Sequence, residues 1–226
     1  YYAGPNGRSD AVDRYLKRGF DPDQMASVID SVRMDYYSVL DECFTNLADG
    51  DYIEYGGHRL KAVHTPGHTA GHMCLYDENK EILFLGDHVL FDITPNITPH
   101  RGFIDPLGHY LDSLLKTLSL PVRIPLPAHR SVHTDLNRRV NEIISHHHAR
   151  LEELLTSLKK HGPLDAYQLA SHMRWKINSN SSNWDDYPFK QRWFAVGEVC
   201  SHLEYLIALG QVKSYFENDK QIYFLN

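Results

Sequence analysis

Nine consecutive residues, His64-Thr65-Pro66-Gly67-His68-Thr69-Ala70-Gly71-His72, carry three imidazoles, and after a short apolar run the chain reads Leu85-Gly86-Asp87. Imidazole nitrogen and carboxylate oxygen together are the donors of a hard-to-borderline divalent-cation site. The residues between them supply the geometry. Leu60-Lys61-Ala62-Val63 has a strand pattern, Thr65-Pro66-Gly67 is a turn signal, and Met73-Cys74-Leu75-Tyr76 is the next strand, which puts His68 on a loop where it is free to turn toward an ion. A tight turn at Asp77-Glu78-Asn79-Lys80 and a further strand over 81–85 bring Asp87 to a neighbouring strand end. Any one of the 15 histidines is more often a surface or hydrogen-bonded residue than a ligand, so the compound pattern carries this reading.

The elements that position these residues follow from periodicity. Residues 10–47 carry apolar side chains at helical spacing (Val12, Tyr15, Leu16; Met25, Val28, Ile29, Val32; Tyr36, Val39, Leu40), which predicts two or three helices. Gly56-Gly57 reads as a hairpin turn in the sheet that leads to His68. The stretch 91–99 is irregular and punctuated by prolines, as suits a loop running beside the site. Leu111, Leu114, Leu115 and Leu118 mark an amphipathic helix over 107–118. A long helix is predicted over 135–160, with Val140, Ile143, Ile144, Leu151, Leu154, Leu155 and Leu158 on its buried side. His146-His147-His148 lie in its middle and read as solvated or packing residues.

Gly162-Pro163 stops that helix and marks a domain boundary. Beyond it the spacing predicts a helix over 164–174, a Ser- and Asn-rich linker over 178–183, and a helix over 189–209 with Phe194, Val196, Val199, Leu203, Leu206 and Ile207 apolar. Strands over 211–216 and 221–225 then close the chain around the turn Glu217-Asn218-Asp219-Lys220. Helices followed by a two-stranded ribbon make a winged-helix module. From Pro163 onward there are seven Asp and Glu against six Lys and Arg, so the module has no basic face in composition with which to neutralise phosphates.

The order strand, Thr-Pro-Gly-His-Thr-x-Gly-His, strand, hairpin, strand, Gly86-Asp87-His88 resembles the metal-binding core of the metallo-β-lactamase-fold hydrolases. The resemblance implies an α/β fold: a partial αββα sandwich over 1–161, with a helical insertion over about 10–47, then a small winged-helix domain over 162–226. It implies that His68 binds one metal, that Asp87 bridges two, and that His129, at the end of the apolar stretch 122–128, binds the second. The family more often shows Pro-Gly-His-Gly where this chain has Pro127-Ala128-His129-Arg130. Its winged-helix branch also repeats the His-His-x-x-Arg-Leu stretch found here at His146 to Leu151.

The family's earlier His-x-His-x-Asp-His cluster, which supplies three further ligands and the aspartate that orients water, has no counterpart in these residues. His146-His147-His148 is no substitute, because consecutive helical residues point about 100° apart. The chain begins Tyr1-Tyr2 without methionine, and the expectation is that the first part of the hydrolase domain lies outside it. These residues alone are then expected to bind metal weakly or not at all and to lack efficient hydrolysis.

The resemblance implies that the intact protein is a hydrolase with two divalent ions, zinc by preference, in which a metal-bound hydroxide attacks a small-molecule thioester, ester or lactone, as in the glyoxalase II-like branch. Catalytic and substrate-binding residues stay unassigned. The alternatives are a phosphodiester hydrolase or winged-helix protein acting on nucleic acid, and a catalytically inactive scaffold.

Composition narrows the setting. The 226 residues are 42% hydrophobic, enough for a sizeable core in one or two units. No apolar run approaches the roughly 20 residues a bilayer needs, so no membrane span is expected. A net charge of −6 offers no general attraction to nucleic acid. Three scattered cysteines argue against a disulfide framework and for a reducing cytoplasm. Unpaired sheet edges of a partial domain are expected to favour a homo-oligomer or a retained partner piece.

Overall fold

A five-stranded sheet is the platform for the histidine turn. Its strands β1 (Tyr52–Tyr55), β2 (His58–His64), β3 (Met73–Asp77), β4 (Ile82–Gly86) and β5 (Ile124–Pro127) lie in that order, antiparallel except for the parallel pair β4 and β5. The structure is a computed structural model and describes residues 7–23, 25, 45–175 and 183–226. Gly56 and Gly57 take positive φ (56° and 79°) between Tyr55 and His58, the backbone a two-residue hairpin needs to follow the strand twist. The crossover from β4 to β5 runs through the irregular 91–104 segment and helix α2 (Pro106–Leu118), as a parallel pair requires. Asp105 caps α2 by accepting from Gly108 N at 3.0 Å, with Pro106 in the first turn.

Around this sheet the helices pack by their apolar stripes. On α2 the buried face is Leu107, Tyr110, Leu111 and Leu114, whereas Leu115, expected on it, is 58% exposed. α3 (Leu136–His161) buries Val140, Ile143, Leu151, Leu154 and Leu158 and ends at Gly162. Helix α1 (Gly7–Lys17) overlaps the start of the predicted helical stretch, and Tyr15 near its end stacks on Trp193 with ring centroids 3.4 Å apart. The rest of that stretch, residues 26–44, and most of the Ser- and Asn-rich linker, residues 176–182, lie outside the described residues.

The C-terminal elements differ from expectation at two points. Residues 164–174 are not one helix: Leu164–Asp165 form strand β6, and helix α4 runs only over Ala166–Ser171. β6 pairs with β8 (Lys220–Leu225), which pairs with β7 (Val212–Glu217), giving a three-stranded antiparallel sheet rather than a bare ribbon. Asp165 ends the strand by capping the helix, accepting from Gln168 N while the Gln168 side chain accepts from Asp165 N. Helix α5 (Phe189–Ala208) packs against α2, α3 and α4. Its apolar set is wider than the sequence pattern at the centre and narrower at the ends: Ser201 and His202 are buried, Phe194 and Ile207 exposed.

One hydrophobic core joins these parts. It runs from Tyr15 and Phe20 through Val63, Leu83 and Leu85 of the sheet to Leu114, Ile143, Val199 and Leu203 of the helices. The change of elements at Gly162 is therefore not a break in packing. Among the described residues no helix is long and apolar enough to cross a membrane.

Candidate functional site

β2, β4 and β5 end on the same side, and the three side chains singled out above sit just beyond them. His68 lies in the turn after β2, Asp87 follows β4 directly, and His129 follows β5, whose line is extended by Ala128 N donating to Gly86 O at 3.0 Å. His129 Nε2 is 2.9 Å from Asp87 Oδ1, and His68 Nε2 is 3.8 Å from Asp87 Oδ2. The three side chains remain partly exposed, at 32% for His68, 36% for Asp87 and 50% for His129.

Partners behind these donors settle which atoms face forward. His68 Nδ1 lies 2.9 Å from Asn96 O. A carbonyl can only accept, so Nδ1 carries the proton in that bond, and in the neutral ring Nε2 presents its lone pair toward Asp87. A lone pair and a carboxylate facing each other repel unless a positive charge comes between them. Asp87 Oδ1 is itself a buried acceptor with no aligned hydrogen-bond donor, despite its approach to His129. Among the described residues the ion pairs of Asp87 are with histidines only. An anion flanked by imidazoles and short of donors fits a cation.

Sequence reasoning named His72 only as a letter of the motif, and the structure gives it a definite task. Asp87 N donates to His72 Nε2 at 3.2 Å, which leaves the other nitrogen, Nδ1, to donate to Thr65 Oγ1 at 2.8 Å. Burial, then the neighbouring His68, pushes the His72 pKa down to about 4, so the ring is neutral as this pattern requires. Gly86 sits at φ 56°, and a Cβ there would lie 2.5 Å from His72 Nε2. The bend that aims Asp87 is thus open only to glycine.

α2 braces the turn from below: Ser113 Oγ donates to Pro66 O at 2.8 Å, and Lys116 Nζ donates to His64 O at 3.2 Å. Tyr110 OH donates to the carbonyl of His88, next to Asp87, at 2.7 Å. His88 itself points inward to Thr117 Oγ1 at 2.9 Å, and burial and His72 push its pKa down to about 3. His64 turns back on its own loop, 2.9 Å from Ala70 O. These supports were illegible because Ser113, Lys116 and Tyr110 read as ordinary helix residues; only their spacing on α2, one face of the helix, hints at a shared target.

The three donors are an incomplete set. Among the described residues no group of three or more His, Cys, Asp or Glu side chains is arranged to hold an ion. His146, His147 and His148 point in different directions from α3: His147 is buried, His148 is exposed, and His146 lies 3.7 Å from Glu198.

Fold and strand-end site together define a known class. Residues 3–129, more than half of the chain, match the family model described as Metallo-beta-lactamase superfamily, and the chain belongs to that family. Its fold is similar to that of the metallo-beta-lactamase family protein TTHA1429 from Thermus thermophilus, at 29% identity and a TM-score of 0.76 over 100% of this chain and 67% of that one. A beta-lactamase domain protein from Burkholderia ambifaria shares the fold at 24% identity, with a TM-score of 0.74 over 97% of this chain and 60% of that one. Lactamase-like protein aptB of Emericella nidulans is 33% identical over 117 residues, 51% of this chain and 35% of its own length. Lactamase-like protein adaB of Aspergillus niger is 27% identical over 184 residues, 66% of this chain and 55% of its own length. The match to aptB thus spans about a third of that relative's length.

Proposed function

We propose that the gene product carrying this chain is a metal-dependent hydrolase of small-molecule thioesters, esters or lactones, of the glyoxalase II-like kind, with His68, Asp87 and His129 as part of a two-metal site. The observation that carries the reading is Asp87: a carboxylate with one oxygen lacking an aligned donor, set between two imidazoles. Divalent ions, zinc by preference, would supply Lewis acidity toward a carbonyl oxygen and acidify a water. The chain's own residues do the rest. Asn96 O holds His68 with its lone pair forward, His72 receives the backbone N–H of Asp87, and the glycine bend before Asp87 sets the height of the carboxylate.

The C-terminal elements support a winged-helix unit in their order: helix, short strand, helix, helix and two-stranded hairpin. In this reading the unit packs on the hydrolase domain. The nucleic-acid alternative is disfavoured because the helix that would enter a groove, α5, is buried through Ala195, Val196, Val199, Ser201, His202, Leu203 and Leu206. Cys74 and Cys200 are free and buried, which suits a reducing, cytoplasmic setting.

Elemental analysis of the full-length gene product, with a hydrolysis assay across thioester, ester, lactone and phosphodiester probes before and after chelation, tests the proposal. Zinc bound with chelator-sensitive carbonyl-ester hydrolysis is the expected result. A metal-free protein, or hydrolysis indifferent to chelation, overturns it.

A further inference from the structure

A series of contacts leads from α5 to His68 by its rear nitrogen. His68 Nδ1 donates to Asn96 O. The next carbonyl along, Ile97 O, accepts from Ser201 Oγ of α5 at 2.8 Å, and both residues are fully buried. The third residue, Thr98, lies against Gly197, one turn earlier on α5, where a Cβ would come within 2.6 Å of Thr98 Cγ2. Gly197 and Ser201 are four apart and share one helix face. Three successive residues of an otherwise irregular segment are therefore fixed, one on the imidazole and two on that face.

Neither α5 residue is what a helix alone would choose. A buried helical serine ordinarily turns its hydroxyl back to the carbonyl four residues earlier; Ser201 is 3.4 Å from that atom, Gly197 O, and takes the shorter bond across to Ile97. Glycine inside a helix is less favourable than alanine. The close approach of Thr98 accounts for it, since any larger residue would push the segment away.

We infer that Ser201 and Gly197 are positioning residues for His68, setting where the 96–98 segment lies and with it the tautomer and aim of the imidazole. The inference rests on the reading of His68 as a metal ligand. Neutral imidazole exchanges between two tautomers. If Asn96 O moves off Nδ1, the proton shifts to Nε2, and a protonated nitrogen has no pair to give a cation. The C-terminal unit is then a working part of the metal centre, linked to it through a hydroxyl and a glycine rather than through any ligand of its own.

Two readouts in the full-length gene product test this. Nitrogen-15 NMR of the His68 side chain in the metal-free protein reports which nitrogen holds the proton, and cobalt(II), used as the probe ion, reports affinity through its visible absorption. Ser201→Ala is expected to move His68 toward the Nε2–H form and to weaken cobalt binding by about tenfold, the lower end of what loss of a supporting contact costs. Gly197→Ala is expected to do the same although it favours the helix. Adding Thr98→Ser to Gly197→Ala removes the colliding methyl and restores cobalt affinity to within about twofold of the parent, the mark of a local coupling.

Wild-type tautomer and cobalt affinity in both single variants, with only the melting temperature changed, would mean that the two residues merely pack, and the inference falls. A parent protein that takes up no cobalt overturns the ligand reading of His68, while the tautomer ratio still decides whether α5 aims the ring.

Discussion

Two groups of histidines in this molecule have met the same problem in opposite ways. Around Asp87, imidazoles on loops face a carboxylate that no Arg or Lys approaches among the described residues. Where α3 crosses α5, His147 and His202 are almost wholly buried and answer each other. His202 Nδ1 donates to Glu198 O at 2.7 Å, so its Nε2 is free to accept from His147 Nδ1 at 3.1 Å, and the Tyr110 ring meets His147 edge to face at 5.5 Å. The Glu198 carboxyl beside them is held well below the usual range: burial pushes it up, but His146, His202, His147 and Arg150 together outweigh that. Glu198 Oε1, like Asp87 Oδ1, lacks an aligned donor, but its charge has an arginine for company, with Arg150 Nε 3.7 Å away. At the strand ends, among the described residues, the anion is paired only with imidazoles. The contrast teaches that burial of the imidazoles does not set the two groups apart; the presence or absence of a fixed cation beside the carboxylate does.

The comparison breaks most directly at Asp87. Asp87→Asn keeps the shape and removes the charge, and is expected to weaken metal binding by the full-length gene product by more than about a hundredfold, beyond the loss of any supporting residue. Without metal its melting temperature should stay level or rise, because the carboxylate lacks good partners. Competition with a chelator and a thermal melt measure the two. A large loss of metal-free stability would make Asp87 a structural ion-pair residue instead.

His147→Ala is the converse. It empties a fully buried site and strands the Nε2 of His202, so about 3 kcal/mol of stability should go, with metal affinity unchanged. Urea denaturation reads the first and zinc titration the second. Loss of metal binding here would merge the two groups into one network.

How much of this could be read from the chain depends on the range of the interactions. The strand-end positions of His68 and Asp87 were legible because turn chemistry and strand length are local: Thr65-Pro66-Gly67 and the Gly86 bend announce themselves within a few residues. His129 was reached only through resemblance to a family, since Pro127-Ala128-His129 has no local feature that demands an ion. The turn at Asn218 and Asp219, both at positive φ (48° and 61°), and the stop at Gly162 were equally local. By contrast β6 is two residues long and exists because β8 pairs with it, so its helical spacing misled. The pairing of His147 with His202 joins residues 55 apart, and nothing in either helix alone predicts it. Ser201 lies within the apolar stripe of its helix, and the partner that explains it, Ile97 O, is 104 residues away.

Acid sharpens the comparison further. Burial, and then each other's company, lowers the pKa of His147; burial lowers that of His202 as well. Glu198 opposes both shifts, while His146 and Arg150 add to them. A histidine whose folded pKa is depressed takes up its proton only when the chain unfolds. Its contribution is therefore fully present above the ordinary value of 6.5 and is lost as pH falls below it. The pair titrates as a unit, and stability should decline by about 1 kcal/mol per pH unit per group over that range. Glu198, held low, adds to the loss only below its ordinary 4.5. Urea unfolding at pH 7, 6 and 5 should show the decline, and a shallower one in His147→Ala. An equal slope in both proteins would assign the acid sensitivity elsewhere.

The finest test uses two neighbours on one helix. His147 and His148 are adjacent in sequence and about 100° apart around α3, so the first enters the crossing with α5 while the second is exposed to solvent. No partner is required to hold His148, and a helix that loses an exposed histidine for alanine gains slightly in propensity. His148→Ala should therefore shift stability by less than about 0.5 kcal/mol, as surface changes do, and leave the acid slope of the parent intact. Urea midpoints of His147→Ala and His148→Ala, measured side by side at pH 7 and pH 5, make the reading. If His148→Ala flattened the acid slope as His147→Ala does, the titration would belong to the helix surface, and the buried pair would lose its part in the contrast with Asp87.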